Sequence, residues 1–216
     1  RKFDPAVDLM SRRHPLSSTR ALQGEDGFRR IVASGNAKAS PASDCCAKAW
    51  ARGLKPGRWY HYRFIARDGS KSVTGRTRTL PVGNVPSFRL AVFTCANFGF
   101  GWFNAYAHAA QSGEFDLALH LGDYFYEYER GEYPSAKETV DSRLVPVNEA
   151  TTLEGYRDRY RTYRNDPDLQ RLHQMMPMVC VWDDHETAND TWQNGAENHQ
   201  PGEGDWALRK AASEQA

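Results

Sequence analysis

At 216 residues, with 40% apolar and 25% charged residues, the chain is long enough to bury a core in one large domain or two small ones. A formal net charge of +1 gives no electrostatic case for nucleic acid or an anionic membrane as partner, and no run approaches the roughly 18 consecutive apolar residues of a membrane span. Four cysteines show neither CxxC spacing nor the density of a disulfide scaffold.

The chain opens on Arg1 rather than an initiator residue, and reads as an internal piece. Arg12-Arg13 is a twin arginine with no apolar region behind it, so it is not an export signal here. The first 25 or so residues have no clear period, and no element is assigned to them. FRRIVASG, residues 28–35, reads as a strand, and the vicinal Cys45 and Cys46 read as separate thiols. Tyr60, Tyr62 and Phe64 then alternate with His61 and Arg63, the period of two of a half-buried antiparallel strand. Asp68-Gly69 turns the chain into a second strand ending at Leu80. Leu54-x-Pro56-Gly57 leading into Tyr60-x-Tyr62 resembles the entry to a late strand of a fibronectin- or immunoglobulin-like sandwich, where a tyrosine pins a corner.

LPVGNVPSF, residues 80–88, reads as a linker, and after it the pattern changes to alternating strand and helix. FRLAVFTC, FDLALHLG and MPMVCVWD are short apolar runs expected to be strands covered on both faces, with Cys180 as a buried small hydrophobe. Between the first two, Phe103, Tyr106 and Ala110 share a helical stripe. Between the second and third, Tyr156, Tyr160 and Tyr163 do the same, and Asp166-Pro167 starts a fresh helix. RDRYRTYR is expected to be a solvated helix face, and His120 to pack under the strand end. Strand, helix, strand, helix, strand implies an α/β fold with a parallel sheet. The domain boundaries predicted are 1–84 for the β-sandwich and 85–216 for the α/β part.

In an open parallel sheet, ligands gather at the carboxyl ends of the strands. Here those ends carry Thr94-Cys95-Ala96-Asn97, Gly122-Asp123-Tyr124-Phe125-Tyr126 and Asp183-Asp184-His185-Glu186. Neighbouring strands lie about 5 Å apart, so the three ends can converge. A thiolate, carboxylates, a phenolate and an amide or imidazole suit two unlike ions better than one structural zinc, with Asp123 as the natural bridge.

TCAN, HLGDYFYEY and YRDRYRTYRNDPDLQRLHQMMPMVCVWDDHETAND together resemble the alkaline phosphatase D (PhoD-like) family of metallophosphatases. The resemblance covers roughly residues 86–192, and more loosely GLKPGRWYHYRF, similar to that family's N-terminal sandwich. It implies the first half of a metallophosphatase-type sheet sandwiched by helices, and hydrolysis of phosphate monoesters, with diesters as a further class. It also implies Cys95 and Tyr126 as ligands to ferric iron (Fe³⁺), Asp123 as the bridging carboxylate, and Asp184 as a ligand to calcium (Ca²⁺). His185 is implied as a catalytic residue near the phosphoryl oxygens or leaving group, and Asn97 as a further catalytic-site residue or a ligand to the second ion. Small-molecule phosphate esters are the implied partners, and a periplasmic or secreted protein the implied location. Nothing after Glu186 matches the VxxH or GHxH histidines of such enzymes, and His199 lies in a loop-like stretch, so the chain is expected to be an inactive fragment. Two other readings are a secreted binding module without catalysis, and another phosphoesterase such as a nucleotidase or a phospholipase-like enzyme.

Overall fold

Backbone pairing, more than apolar pattern, sets the first sheet. The computed structural model describes residues 9–10 and 18–25, for backbone alone, and residues 28–216 in full. The twin arginine at 12–13 lies outside the described residues. The chain divides into two compact units, one of residues 1–90, 114–117 and 172–178, the other of residues 91–113, 118–171 and 179–216.

In the first unit, β1 (Leu9–Met10) pairs with β4 (Cys46–Ala47). An antiparallel sheet runs in the order β3 (Arg30–Lys38), β2 (Ser18–Glu25), β5 (Trp59–Ile65), β6 (Gly75–Arg78). STRALQGE has no alternating apolar pattern. It is nonetheless a strand, because β3 and β5 take up its backbone groups on both edges. In β5 the alternation buries Tyr60 and Phe64. The Tyr60 hydroxyl accepts from the Lys55 backbone N–H at 2.8 Å and pins the corner that enters the strand.

The second unit holds most of a three-stranded sheet, β7 (Leu90–Phe93), β8 (Leu117–His120) and β9 (Met178–Cys180), with β8 central. Asp116 N–H to Arg89 O and Leu121 N–H to Phe93 O advance together along β7 and β8, as parallel strands require. The sheet is joined by α1 (Asn104–Ser112), α2 (Leu153–Arg164) and α3 (Pro167–Met175), and α4 (Trp206–Gln215) follows it. Asp166 caps α3, its Oδ1 accepting from the N–H groups of Asp168 at 2.8 Å and Leu169 at 3.0 Å. No helix among the described residues is long and apolar enough to cross a membrane.

Two sequence expectations fail here. The strands are not covered on both faces: Leu90 and Val92 are exposed while Ala91 between them is buried, and Cys180 is exposed. The arginines of α2 do not all lie on a solvated face: Arg161 is part-exposed beside Glu154 and Asp158, but Arg157 and Arg159 are buried. Arg159 Nη2 donates to the Asn148 carbonyl at 2.6 Å, so a loop carbonyl takes the place of water.

Buried His120 lies at the end of β8. Its Nε2 is 3.0 Å from the Tyr106 hydroxyl, and its Nδ1 accepts from the Gly122 N–H at 3.4 Å. Burial pushes its pKa down to about 4, against an ordinary value of 6.5. Protonation therefore favours the unfolded chain: stability is full above about pH 6.5 and falls as pH drops towards 4. Urea midpoints measured from pH 7 to 4.5 should decline, and His120→Gln, which keeps a donor towards Tyr106, should flatten that decline.

Candidate metal centre

Backbone bonds draw the strand ends together. Cys95 N–H donates to Gly122 O at 3.2 Å and Ala96 N–H to Asp123 O at 3.2 Å, while Val181 N–H reaches His120 O at 3.0 Å. Gly122 has φ 112°, and a Cβ there would lie 2.4 Å from the Asp183 Cβ, so only glycine lets the loop after β8 close against the loop after β9. Cys95 (φ 55°) and Asp123 (φ 53°) both adopt the left-handed conformation. For a residue with a side chain this costs about 1 kcal/mol, and such strain gathers at functional sites.

Glu186 couples the two loops. Its buried carboxylate accepts from the N–H groups of Asp123 (3.2 Å) and Asp183 (2.8 Å) on one oxygen and of Tyr124 (2.5 Å) on the other. Burial raises its pKa despite those three amides. Its donors use both oxygens, which makes it a brace rather than a ligand.

Around this brace Asp123, Asp184 and His185 converge, with one potential ligand atom from each lying within 4.8 Å of the others. Asp123 Oδ2 accepts from the Tyr126 hydroxyl at 3.2 Å, and Asp184 Oδ2 from the Asp190 N–H at 2.5 Å. Asp123 Oδ1 is buried with no hydrogen-bond partner among the described residues. Two converging carboxylates and an unpartnered buried oxygen fit a cation, since desolvated anions need compensation. Burial first, then the charges of Asp123 and Cys95, push the Tyr126 phenol well above its ordinary value. Tyr126 is therefore a neutral donor to Asp123.

His185 Nδ1 lies 2.8 Å from Glu127 Oε2. The other Glu127 oxygen accepts from the Asn189 N–H at 2.7 Å and Asn198 Nδ2 at 2.9 Å. Burial alone would push the Glu127 carboxyl up, but its bond to His185, that ring's charge and the Asn198 amide outweigh burial and lower it. His185 shows the converse: burial opposes its charge, and the Glu127 contact raises its pKa overall. With Nδ1 engaged, Nε2 is the ring nitrogen left for a ligand or substrate.

Of the residues singled out in the sequence, Asp123, Asp184 and His185 form this cluster and Tyr126 bonds to it. Cys95 lies outside the three-residue group, and its Sγ is 3.3 Å from Thr94 Oγ1. Asn97 is engaged by two loops, Oδ1 accepting from Gly99 N–H at 2.9 Å in its own and Nδ2 donating to Tyr133 O at 3.3 Å in another. Glu127 and Asn198 escaped the sequence reading, and Glu186 figured in it only as one residue of a polar strand end. The one local sign was a glutamate set inside the aromatic run YFYEYE. Asn198 is held in turn by buried Arg209, whose Nη1 donates to the Asn198 carbonyl at 2.7 Å and whose Nη2 reaches Glu149 at 2.6 Å.

Fold and cluster define a class: a mixed α/β chain that sets candidate cation ligands beside a carboxylate-held imidazole at its strand ends. The pattern of the PhoD-like phosphatase family matches residues 90–216, and that of the PhoD-like phosphatase N-terminal domain matches residues 7–81. The chain belongs to the PhoD-like phosphatase family. It is 38% identical over 195 residues to alkaline phosphatase D of Bacillus subtilis (strain 168), a match covering 89% of this chain and 32% of that protein. It is also similar to a solved structure described as "Structure of PhoD", with a TM-score of 0.86 and 32% identity over 100% of this chain and 43% of that one. The chain thus spans 32% of the length of the curated relative it matches.

Proposed function

We propose that the whole protein is a metal-dependent phosphatase that hydrolyses phosphate monoesters, and diesters as a second class, at a site built around Asp123. The convergence of Asp123, Asp184 and His185, together with the buried Oδ1 of Asp123 that has no partner among the described residues, carries this reading. Cys95, Tyr126 and Asp123 would hold Fe³⁺, and Asp123 with Asp184 would hold Ca²⁺, hard oxygens suiting calcium and thiolate the transition metal. Bound there, the ions would supply positive charge to the phosphoryl oxygens and acidify a water. His185 presents Nε2 to the ester and donates a proton to the leaving oxygen as the P–O bond breaks. Glu127 holds the ring in the orientation and tautomer this needs, and Asn97 keeps the neighbouring loop in place. The finer architecture belongs to the same reading: a fibronectin-like sandwich over residues 1–84 and the first half of a metallophosphatase sheet over 85–216, in an exported protein.

The cluster offers fewer oxygens than the six to eight that calcium takes, so further ligands are expected from the part of the whole protein beyond this chain. The test is release of p-nitrophenol from p-nitrophenyl phosphate at alkaline pH with Fe³⁺ and Ca²⁺. The full-length protein should turn over and lose activity to a chelator, and residues 1–216 alone should be inactive and metal-poor. Full-length protein that binds neither ion and releases no phosphate would leave a binding module. Turnover by residues 1–216 at a normal enzymatic rate, abolished by His185→Ala, would show that no further ligands are needed.

A further inference from the structure

A line of aromatic rings leads from the candidate metal centre to the surface. Buried Tyr126, bonded to Asp123, has its ring 4.3 Å from the His185 imidazole and 5.6 Å from the ring of Tyr133. Tyr133 in turn meets Phe100 edge-to-face at 5.1 Å. Tyr133 is 44% exposed and Phe100 42%, so the line begins buried beside a proton-transfer group and ends in solvent.

The two loops that carry these rings are fastened to each other. Asn97 Nδ2 donates to Tyr133 O at 3.3 Å, and Val140 N–H donates to Gly99 O at 3.0 Å. A Cβ on Gly99 would lie 2.7 Å from the Pro134 ring, so glycine there allows the loops to touch. Beneath them Arg143 donates from Nε to the Phe98 carbonyl at 2.7 Å and stacks over the Phe98 ring at 3.7 Å. Half-exposed rings set edge-to-face and held by these contacts offer an apolar corner that is already ordered, and binding there costs little further entropy.

We propose that Tyr133 and Phe100 form the leaving-group subsite of this centre. The organic part of the ester lies against the two rings while its phosphoryl group lies at Asp123, Asp184 and His185. Leaving groups with a planar aromatic face are then favoured over small alkyl groups, because offset or edge-to-face ring contacts add to simple apolar burial. The inference rests on the phosphatase reading above and names the substrate class of that site.

The test compares phenyl phosphate with ethyl phosphate in the metal-loaded full-length protein. The two esters differ in intrinsic reactivity, but that difference is the same for every variant, so a change in their kcat/KM ratio reports the contact alone. Tyr133→Ala and Phe100→Ala should each lower the phenyl-to-ethyl ratio about three- to tenfold, the loss of one ring contact. Tyr133→Leu, which keeps apolar volume and so guards against a collapsed loop, should lower it as well, and Tyr133→Phe should restore it. Calorimetric affinities for phenylphosphonate relative to methylphosphonate, neither of which is a phosphate ester, should follow the same order. Equal losses on both ligands, or no change in either ratio, would overturn the subsite. If no ester is hydrolysed while phenylphosphonate binding still depends on Tyr133, the phosphatase reading fails, the leaving-group role falls with it, and the rings remain as a subsite for aryl ligands.

Discussion

If the proposed centre is correct, Asp123→Asn in the full-length protein should lower kcat by about a hundredfold or more and deplete both metal ions together. Asparagine has the same shape as aspartate and tolerates the left-handed backbone that Asp123 adopts at φ 53°. It can still accept from the Tyr126 hydroxyl, which lies 3.2 Å from Asp123 Oδ2. Only the charge and one oxygen acceptor are lost. The buried Oδ1 that has no protein partner becomes an amide position that a cation cannot use. Metal analysis of purified protein, beside a thermal melt to show that folding is intact, decides the outcome. Depletion of one metal alone would demote Asp123 from bridge to ordinary ligand. Full occupancy of both, with unchanged kcat, would remove it from the site.

The largest expected effect on stability lies at Arg143. Its guanidinium pairs with Asp166 at 2.7 Å, and both side chains are buried. The same group stacks on Phe98 and lies 4.8 Å from the ring centroid of Phe103, so it is packed as well as paired. Arg143→Met should cost about 3–5 kcal/mol, because Asp166 would be left charged and desolvated with only the α3 amides as donors. Asp166→Asn keeps an oxygen for the cap but strands the guanidinium, and a similar loss is expected. The double variant should be less destabilised than the sum of the two, since neither charge is then left alone. Denaturant unfolding of the four proteins measures this coupling. Strict additivity would mean that the pair contributes only packing.

Helix and strand positions were legible wherever a local rule governs them. Asp166-Pro167 specifies its own helix start, and the Tyr60, Phe64 alternation specifies which face of β5 is buried. β2 was illegible because its backbone is held by partners on both edges, and STRALQGE says nothing of them. The covering of the sheet was misread for a related reason: an apolar run records that a strand is apolar, not that another element lies over each face.

By itself the sequence determined that Asp123, Asp184 and His185 stand at strand ends and are of ligand type. That follows because chemistry at the end of a strand is written in consecutive residues. Tertiary structure alone decided which of these polar groups meet and which groups brace them. Glu127 reaches Asn198 across 71 residues of sequence, and Glu186 reaches Asp123 across 63. A charge can be buried only where partners replace its water, and those partners come from distant loops that no local periodicity records. Glu127, Arg143 and Arg209 therefore carry no local mark in the sequence, and Glu186 none that tells a brace from a ligand, yet all four are buried in the structure.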